Sequence, residues 1–474
     1  MVSLCLVQFV DVLGVTVVVT SLPSMLADLH APESFGSLIA TGYAMFFGGL
    51  LMLGARLGDR FGHRRTIIAS LAVFAAGAVV AATAGSIIAL TAGRCLQGAA
   101  AAASVPSALR LLTTVTADGQ ARRRAIAAWS AAGAAAGASG FVVGGIVTDL
   151  ASWRFVFWGY VPLAAVLAAA IASSVPPDRD AGPARSLNLA ASAAFTAAIM
   201  AFVVGATLIA QPAHRLSGGL LLACCVPLSG AFVVIDRRAA APLLPPELLR
   251  SPRLRQGALG GLLNTATTSS AITLVTLYLQ NTLRRSPLEA AATLLPFSVT
   301  VIGGASLSAA LLRRLRPQSV VALGLAAVAA ANLALIPSAA IPWAVPLCAA
   351  VAGAGIGLSS VAATGLGTDV AEHWRGTASG IINTAAQLGT AIGIAVLLLI
   401  AAATTGTPAA GTRPPRAAWA VAAVVAAAGA VLFTLTGRRS HPDCSLASGT
   451  THQRLGAPGR PRWRTWPTQF SPCR

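Results

Sequence analysis

Two charged side chains sit where an apolar chain tolerates charge least. Arg94 lies several residues inside the apolar run 88–112, and Asp11 is the only acid well inside a candidate membrane span, the run 3–25. An arginine or aspartate at the centre of a bilayer costs about 2.5–3.5 kcal/mol or more, and normally faces a polar cavity or a partner. Gln97 and Gly98 follow Arg94 at i+3 and i+4, so they share its helix face. A carboxylate in such surroundings can take up and release a proton. Apolar burial disfavours its ionised form and a nearby cation favours it, so a change of access can switch release. Plainer readings stand beside these: Arg94 pinned by backbone carbonyls, and Asp11 facing headgroups near the membrane surface.

Other polar residues also interrupt apolar runs. Asn264, Thr265, Thr267, Thr268, Ser269, Ser270 and Thr273 make the stretch 256–280 too polar for lipid and suggest the wall of a cavity. Asn383 and Gln387 share a face with Gly376 and Gly380 by 4, 3, 4 spacing. Two buried amides need partners, either in a wet cavity or as glue between helices. Gly133, Gly137, Gly140 and Gly144 line one face of the run 125–148, which allows close packing and sliding against a neighbour. The seven cysteines show no zinc-ligand spacing with histidine and read as small buried hydrophobes, so no metal site and no disulfide framework is expected. No phosphate-binding loop is present, and no cofactor is expected. A membrane-bound prenyl or glycosyl transferase would need carboxylate-rich loops to hold a metal-diphosphate. The chain offers only the near-pairs Asp178, Asp180 and Asp369, Glu372, so it is not read as an enzyme.

The elements that hold these residues are long apolar helices. Of 474 residues, 56% are hydrophobic and 10% charged, with mean hydropathy +0.76; a soluble domain carries about 25% charged residues. The net charge of +19 does not mark a nucleic-acid groove, because the arginines fall between apolar runs. At roughly 20 apolar residues per crossing, fourteen candidate spans are read: 3–25, 35–56, 66–85, 88–112, 125–148, 154–173, 189–210, 217–235, 256–280, 290–312, 318–337, 341–365, 376–403 and 417–436. The first lacks a basic leader and a small-residue cleavage site, so it reads as a retained helix rather than a signal peptide. All 33 basic residues are Arg. Arg94 and Arg110 lie inside spans, and Arg154, Arg215, Arg284, Arg285, Arg413 and Arg416 lie on one side. The remaining arginines lie on the other side, which the positive-inside rule makes cytoplasmic, together with both termini. The stretch 236–255 reads as a Pro-rich basic connector, and 438–474 as a disordered basic tail.

The loop Gly54-Ala-Arg-Leu-Gly58-Asp59-Arg60-Phe-Gly62-His63-Arg64-Arg65 resembles the signature loop of the major facilitator superfamily. Leu90-Thr-Ala-Gly-Arg94-Cys-Leu-Gln97-Gly98 resembles that superfamily's fourth-span motif, and Gly140-Phe141-Val-Val-Gly144-Gly145 resembles its antiporter motif with Phe141 in place of proline. The first span, ending in Leu22-Pro23, is similar to the fourteen-helix drug:proton antiporter branch. Aligned on Thr16 and Leu22-Pro23, the family's aspartate falls on Gly14, and Asp11 stands three residues earlier. Tyr278-Leu-Gln280 with Ser286-Pro287-Leu288-Glu289-Ala290, and Arg375-Gly376 through Gly389, resemble segments of the same branch. The resemblance covers roughly residues 5–437.

The resemblance implies an all-α polytopic membrane protein of about fourteen transmembrane helices. Two six-helix halves, 1–173 and 256–437, would flank two inserted helices and the connector in 174–255. It implies proton-coupled export of drugs, antibiotics or secondary metabolites across a bacterial plasma membrane, with uptake or uniport of one small solute as the alternative. Asp11 would carry the proton and Arg94 would bias it. Gly54, Gly58, Asp59, Arg60, Gly62, Arg64 and Arg65 would form a gating loop. Gln97, Gly140, Gly144, Asn264, Gln280, Asn383 and Gln387 would line the substrate cavity or pack helices. The expected partners are lipid, protons and a small lipophilic or amphipathic substrate, with no nucleic acid, and the protein is expected to be a monomer.

The arginine asymmetry makes a topological prediction. Reporter fusions after residue 62 and after residue 440 both report the cytoplasmic side. Finding the two on opposite sides would mean an odd number of crossings.

Overall fold

The computed structural model describes residues 1–32, 35–117, 120–176, 187–209, 211–240, 242–339, 341, 343–371, 374–405 and 414–439. Among the described residues every regular element is helical. Eight long helices come first: α1 (Val2–Asp28), α2 (Gly36–Phe61), α3 (His63–Ala82), α4 (Ile87–Val115), α5 (Gln120–Leu150), α6 (Trp153–Ser174), α7 (Leu189–Ile209) and α8 (Arg215–Arg238). After the one-turn α9 (Pro246–Leu249) come six more: α10 (Pro252–Leu277), α11 (Pro287–Leu311), α12 (Pro317–Ser338), α13 (Ala344–Gly367), α14 (Arg375–Thr405) and α15 (Arg416–Arg439). These fourteen long helices correspond to the fourteen apolar runs. Twelve are long and apolar enough to cross a membrane. The two outside that criterion, α4 and α10, carry the buried Arg94, Gln97, Asn264, Thr267 and Thr268. A helix whose polar side chains face protein can be less apolar overall and still sit in a bilayer.

Several helices run past the apolar stretches. Helix α2 continues to Phe61, through residues of the arginine loop, and stops at Gly62, whose φ of 91° ends the helix and opens α3. That backbone conformation favours glycine. Helix α11 starts at a capping box: Ser286 Oγ accepts from Glu289 N at 3.2 Å, and Glu289 Oε2 accepts from Ser286 N at 3.0 Å, with Pro287 in the first turn. The Ser-Pro-Leu-Glu sequence is therefore a helix start with a physical mechanism. The connector differs from its expected bounds 236–255. Its first residues belong to α8 and its last to α10. Asp236, buried at the end of α8, accepts from Leu243 N at 2.6 Å, Leu244 N at 3.0 Å and Asn188 Nδ2 at 2.8 Å. Of the expected tail 438–474, Arg438 and Arg439 belong to α15; residues 440–474, the near-pair Asp178 and Asp180, and Glu372 lie outside the described residues.

Within Met1–Gly437, α1 packs on α5, α2 and α3 pack on α4, and α3 packs on α6. Further along, α11 and α12 pack on α13, and α10 packs on α14. The hairpin α7–α8 rests through α7 on α2 and α14, and α2 meets α14 while α5 meets α11. Glycine sets the closeness of these contacts. A β-carbon at Gly54 would lie 2.0 Å from the Ala102 carbonyl oxygen, and one at Gly98 would lie 2.2 Å from that of Tyr43. Small residues let two backbones approach where lipid supplies no hydrophobic drive between helices. The cysteine expectation holds for Cys348, which is buried, and not for Cys224, which is exposed on α8.

The α2–α4 contact can be tested directly. Gly54→Val should destabilise the protein by about 1–3 kcal/mol or more, because overpacking here displaces backbone. Gly303→Val, where an added β-carbon meets nothing within 4 Å, should stay near wild type. The measurement is the midpoint of thermal unfolding in detergent, and equal midpoints for the two variants would contradict the contact.

Candidate functional site

Three helices converge on Tyr43. Asp11 of α1 is 6% exposed and Arg94 of α4 is 0% exposed. The Tyr43 hydroxyl, on α2, donates a hydrogen bond to Asp11 Oδ1. The Arg94 guanidinium lies over the Tyr43 ring, 4.8 Å from its centroid, and Arg94 Nη1 donates to Gln97 Oε1 at 3.1 Å. Among the described residues Asp11 and Arg94 make no direct ion pair, but they interact electrostatically with each other and with Tyr160 of α6. Tyr160 stacks edge-on against Phe74 at 5.4 Å. The structure brings Asp11 and Arg94, expected to act together, to one place with Gln97, which was expected only to line a cavity or pack helices, and with two tyrosines that the sequence did not single out. The chain has only three tyrosines, all in apolar runs. A phenol hydroxyl in low dielectric wants a partner, and that signal was available.

The pocket still has unused polar capacity. Arg94 Nε and Nη2, Gln97 Nε2 and the Tyr160 hydroxyl are buried with no hydrogen-bond partner among the described residues. A β-carbon at Gly14 would lie 3.7 Å from the Tyr43 ring and 4.0 Å from the Tyr160 hydroxyl. Gly14 therefore opens onto the same cluster as Asp11, one turn further along α1. Such a cluster can hold a carboxylate ionised or protonated, with a fixed cation nearby.

The loop at the α2–α3 turn is built on glycine packing and arginine anchoring. A β-carbon at Gly58 would lie 2.3 Å from His63 Nδ1 and 2.5 Å from Ser107 Oγ, so the loop is seated on α4. Arg64 donates to the Ala172 carbonyl of α6, and Arg56 donates to that of Pro242 in the connector at 2.7 Å. Arg60 lies over Phe61, and Arg65 is exposed. Asp59 was expected to pair with arginines or a helix end. Among its contacts is His63, at 3.4 Å and i+4, with the Asp59 side chain 55% exposed.

The remaining candidates occupy separate helix contacts. Gly140 and Gly144 fit against Thr16 and Thr20 of α1, and Thr20 Oγ1 donates to the Phe141 carbonyl at 3.3 Å. Phe141, where the family motif has proline, meets Phe297 of α11 edge-on at 6.0 Å. Asn264 ties α10 to Ser360 of α13 at 2.8 Å. Gln280, in a π-helical turn after α10, donates to the Thr20 carbonyl of α1 at 2.8 Å. Gln387 of α14 abuts Gly48 of α2, and Asn383 is half-buried on the same helix. The cross-contacts at Gln280, Phe141 and Gln387 join the first six helices to the last six.

The family model described as Major Facilitator Superfamily matches residues 4–394. The chain is 34% identical to the cephamycin export protein CmcT of Amycolatopsis lactamdurans, covering 85% of each. It is 32% identical to the puromycin resistance protein pur8 of Streptomyces alboniger, covering 82% of this chain and 79% of that one. It is 30% identical to a tetracenomycin C resistance and export protein of Streptomyces glaucescens, covering 82% and 73%. Among solved structures, the human organic anion transporter MFSD10 (TETRAN) superposes with TM-score 0.60 at 16% identity, over 91% of this chain and 98% of that one. That likeness concerns the fold.

The loop yields a prediction. Asp59→Asn should insert normally and lower substrate flux tenfold or more, as expected for loss of a charge-assisted contact of roughly 1.5–3 kcal/mol that biases two balanced states. Wild-type flux in vesicles carrying this variant would leave the loop as a topology signal alone.

Proposed function

This chain belongs to the major facilitator superfamily, and on that premise we propose that it exports antibiotics or related secondary metabolites across the plasma membrane in exchange for protons. The observation that carries the reading is its 30–34% identity, over more than four-fifths of its length, to proteins named for antibiotic export and resistance. The substrate would be small and lipophilic or amphipathic, would leave chemically unchanged, and would need neither cofactor nor metal. A monomer with both termini in the cytoplasm would suffice.

In this mechanism the halves 1–173 and 256–437 rock about a midplane cavity. The hairpin α7–α8 rides between them. Asp11 accepts a proton when the cavity opens to the acidic side and releases it on the other, with Arg94 as the fixed cation that favours release. One proton crossing 100 mV supplies about 2.3 kcal/mol, enough for a roughly fifty-fold substrate gradient. The Tyr43 contact, the cation over its ring and the unpartnered Tyr160 hydroxyl support this use of Asp11.

Proteoliposomes test it. A proton gradient directed opposite to substrate flux should drive export of puromycin or a cephamycin, and a protonophore should abolish that export. Asp11→Asn should abolish gradient-driven export and leave downhill exchange. Asp11→Gly with Gly14→Asp should restore part of the coupling, because both positions face Tyr43. Undiminished transport with a protonophore would sink the antiport reading, and full coupling in Asp11→Asn would move the proton site elsewhere.

A further inference from the structure

Tyr43 does more than fill space between α1 and α4. Its hydroxyl is spent on Asp11 and its ring face on Arg94, while its own carbonyl is pressed against Gly98. The residue is fully buried. Five residues further along α2, about 7.5 Å at 1.5 Å per residue, Gly48 abuts Gln387 of α14, and next to it Gly49 abuts Thr196 of α7. Helix α2 thus touches the acid at one level and both the inserted hairpin and the last six helices at the next.

We propose that Tyr43 is the positioning residue through which protonation of Asp11 reaches α2 and, through α2, the contact with α14. The inference rests on the reading that Asp11 carries the coupled proton. The charged and titratable side chains facing Asp11 are Tyr43 from α2, Arg94 from α4 and Tyr160 from α6. Helices α5, α10 and α11 also pack on α1 and bring none within reach among the described residues. With Asp11 ionised, the Tyr43 hydroxyl donates to a carboxylate, and such a bond is roughly twice as strong as its neutral counterpart. A proton arriving from the aqueous phase adds to an Asp11 carboxylate oxygen and later leaves from it, and Tyr43 keeps its own proton throughout. Protonation weakens the tie between α1 and α2 and leaves the Arg94 charge without its counter-ion. The ring then holds α2 to α4 alone, and α2 is free to move with α4 against α1.

The experiment needs no knowledge of the substrate. The full chain, in a cysteine-free background with Val115→Cys on α4 and Gly365→Cys on α13, is spin-labelled and placed in lipid nanodiscs. Distance distributions are compared at pH 5.5 and pH 8 with the proton as the only ligand. The unmodified site should show a pH-dependent shift in the mean distance. Tyr43→Phe keeps the ring over Arg94 and removes only the hydroxyl; it should lose that shift, as should Asp11→Asn. The double variant should be no different from Asp11→Asn alone, because a residue acting through another adds nothing once that other is gone. A full shift in Tyr43→Phe together with none in Asp11→Asn overturns the role of Tyr43 and leaves Asp11 as the proton site. A full shift in Asp11→Asn, or no shift in the unmodified site, overturns both.

Discussion

Arg94 places a guanidinium at zero exposure in the first six helices, and the packing of α1, α2, α4 and α6 answers to that charge. An unpaired ion in low dielectric costs several kcal/mol, so the surroundings must supply compensation within reach. They do so by three routes: the face of the Tyr43 ring, the amide oxygen of Gln97 one turn on, and the field of the Asp11 carboxylate. The first of these is available only where α2 and α4 lie close together. That approach depends on Gly54 against Ala102 and on Gly98 against the Tyr43 carbonyl. The glycines of the loop and of the fourth-span motif therefore serve the same end as the arginine. They bring the ring that makes the charge tolerable.

A second layer of contacts follows the same economy. In α1, Thr16, Thr20 and Ser21 turn their hydroxyls to backbone carbonyls of α5, and the glycines of α5 make room for them. These are weak bonds individually, about 0.6 kcal/mol in membrane bundles, and they let surfaces separate and re-form. Contacts that join the first six helices to the last six include one amide to one carbonyl at Gln280, one aromatic edge at Phe141, one glycine against Gln387, and Gly145 against Pro287 and Ala291. By contrast, Asp236 accepts three hydrogen bonds from Asn188 and the connector. This fixes the inserted hairpin to the chain leading into α10, next to the point where Arg56 of the loop holds Pro242.

Composition and periodic interruption of apolar runs were enough to determine an all-helical membrane protein, because a bilayer leaves the backbone few other ways to satisfy its hydrogen bonds; among the described residues twelve helices are long and apolar enough to cross it. The intramembrane charges Asp11 and Arg94 were legible for the same reason: lipid makes a charge conspicuous. The one-sided glycines of α5 were legible because helical spacing is a local rule, whereas the sequence placed the start of α11 at 290 and the capping box at Ser286 moved it to Pro287. What spacing could not give was the partner across space. Asp11 and Arg94 are 83 positions apart in sequence, and that they meet at Tyr43 depends on how closely α2 lies to α4. Asn264, Gln280 and Gln387 all read as polar residues of a cavity or a contact. Only the packing decided that one joins α10 to α13, one ties α10 to α1, and one meets α2. Likewise Asp59 meets His63 because the helical turn brings i and i+4 together, and Arg56 and Arg64 reach carbonyls of the connector and of α6, partners remote in the chain. Sequence determines which groups must be satisfied, since burial cost follows residue type. Tertiary structure decides by whom, since that depends on distances set by glycine contacts between helices remote in the chain.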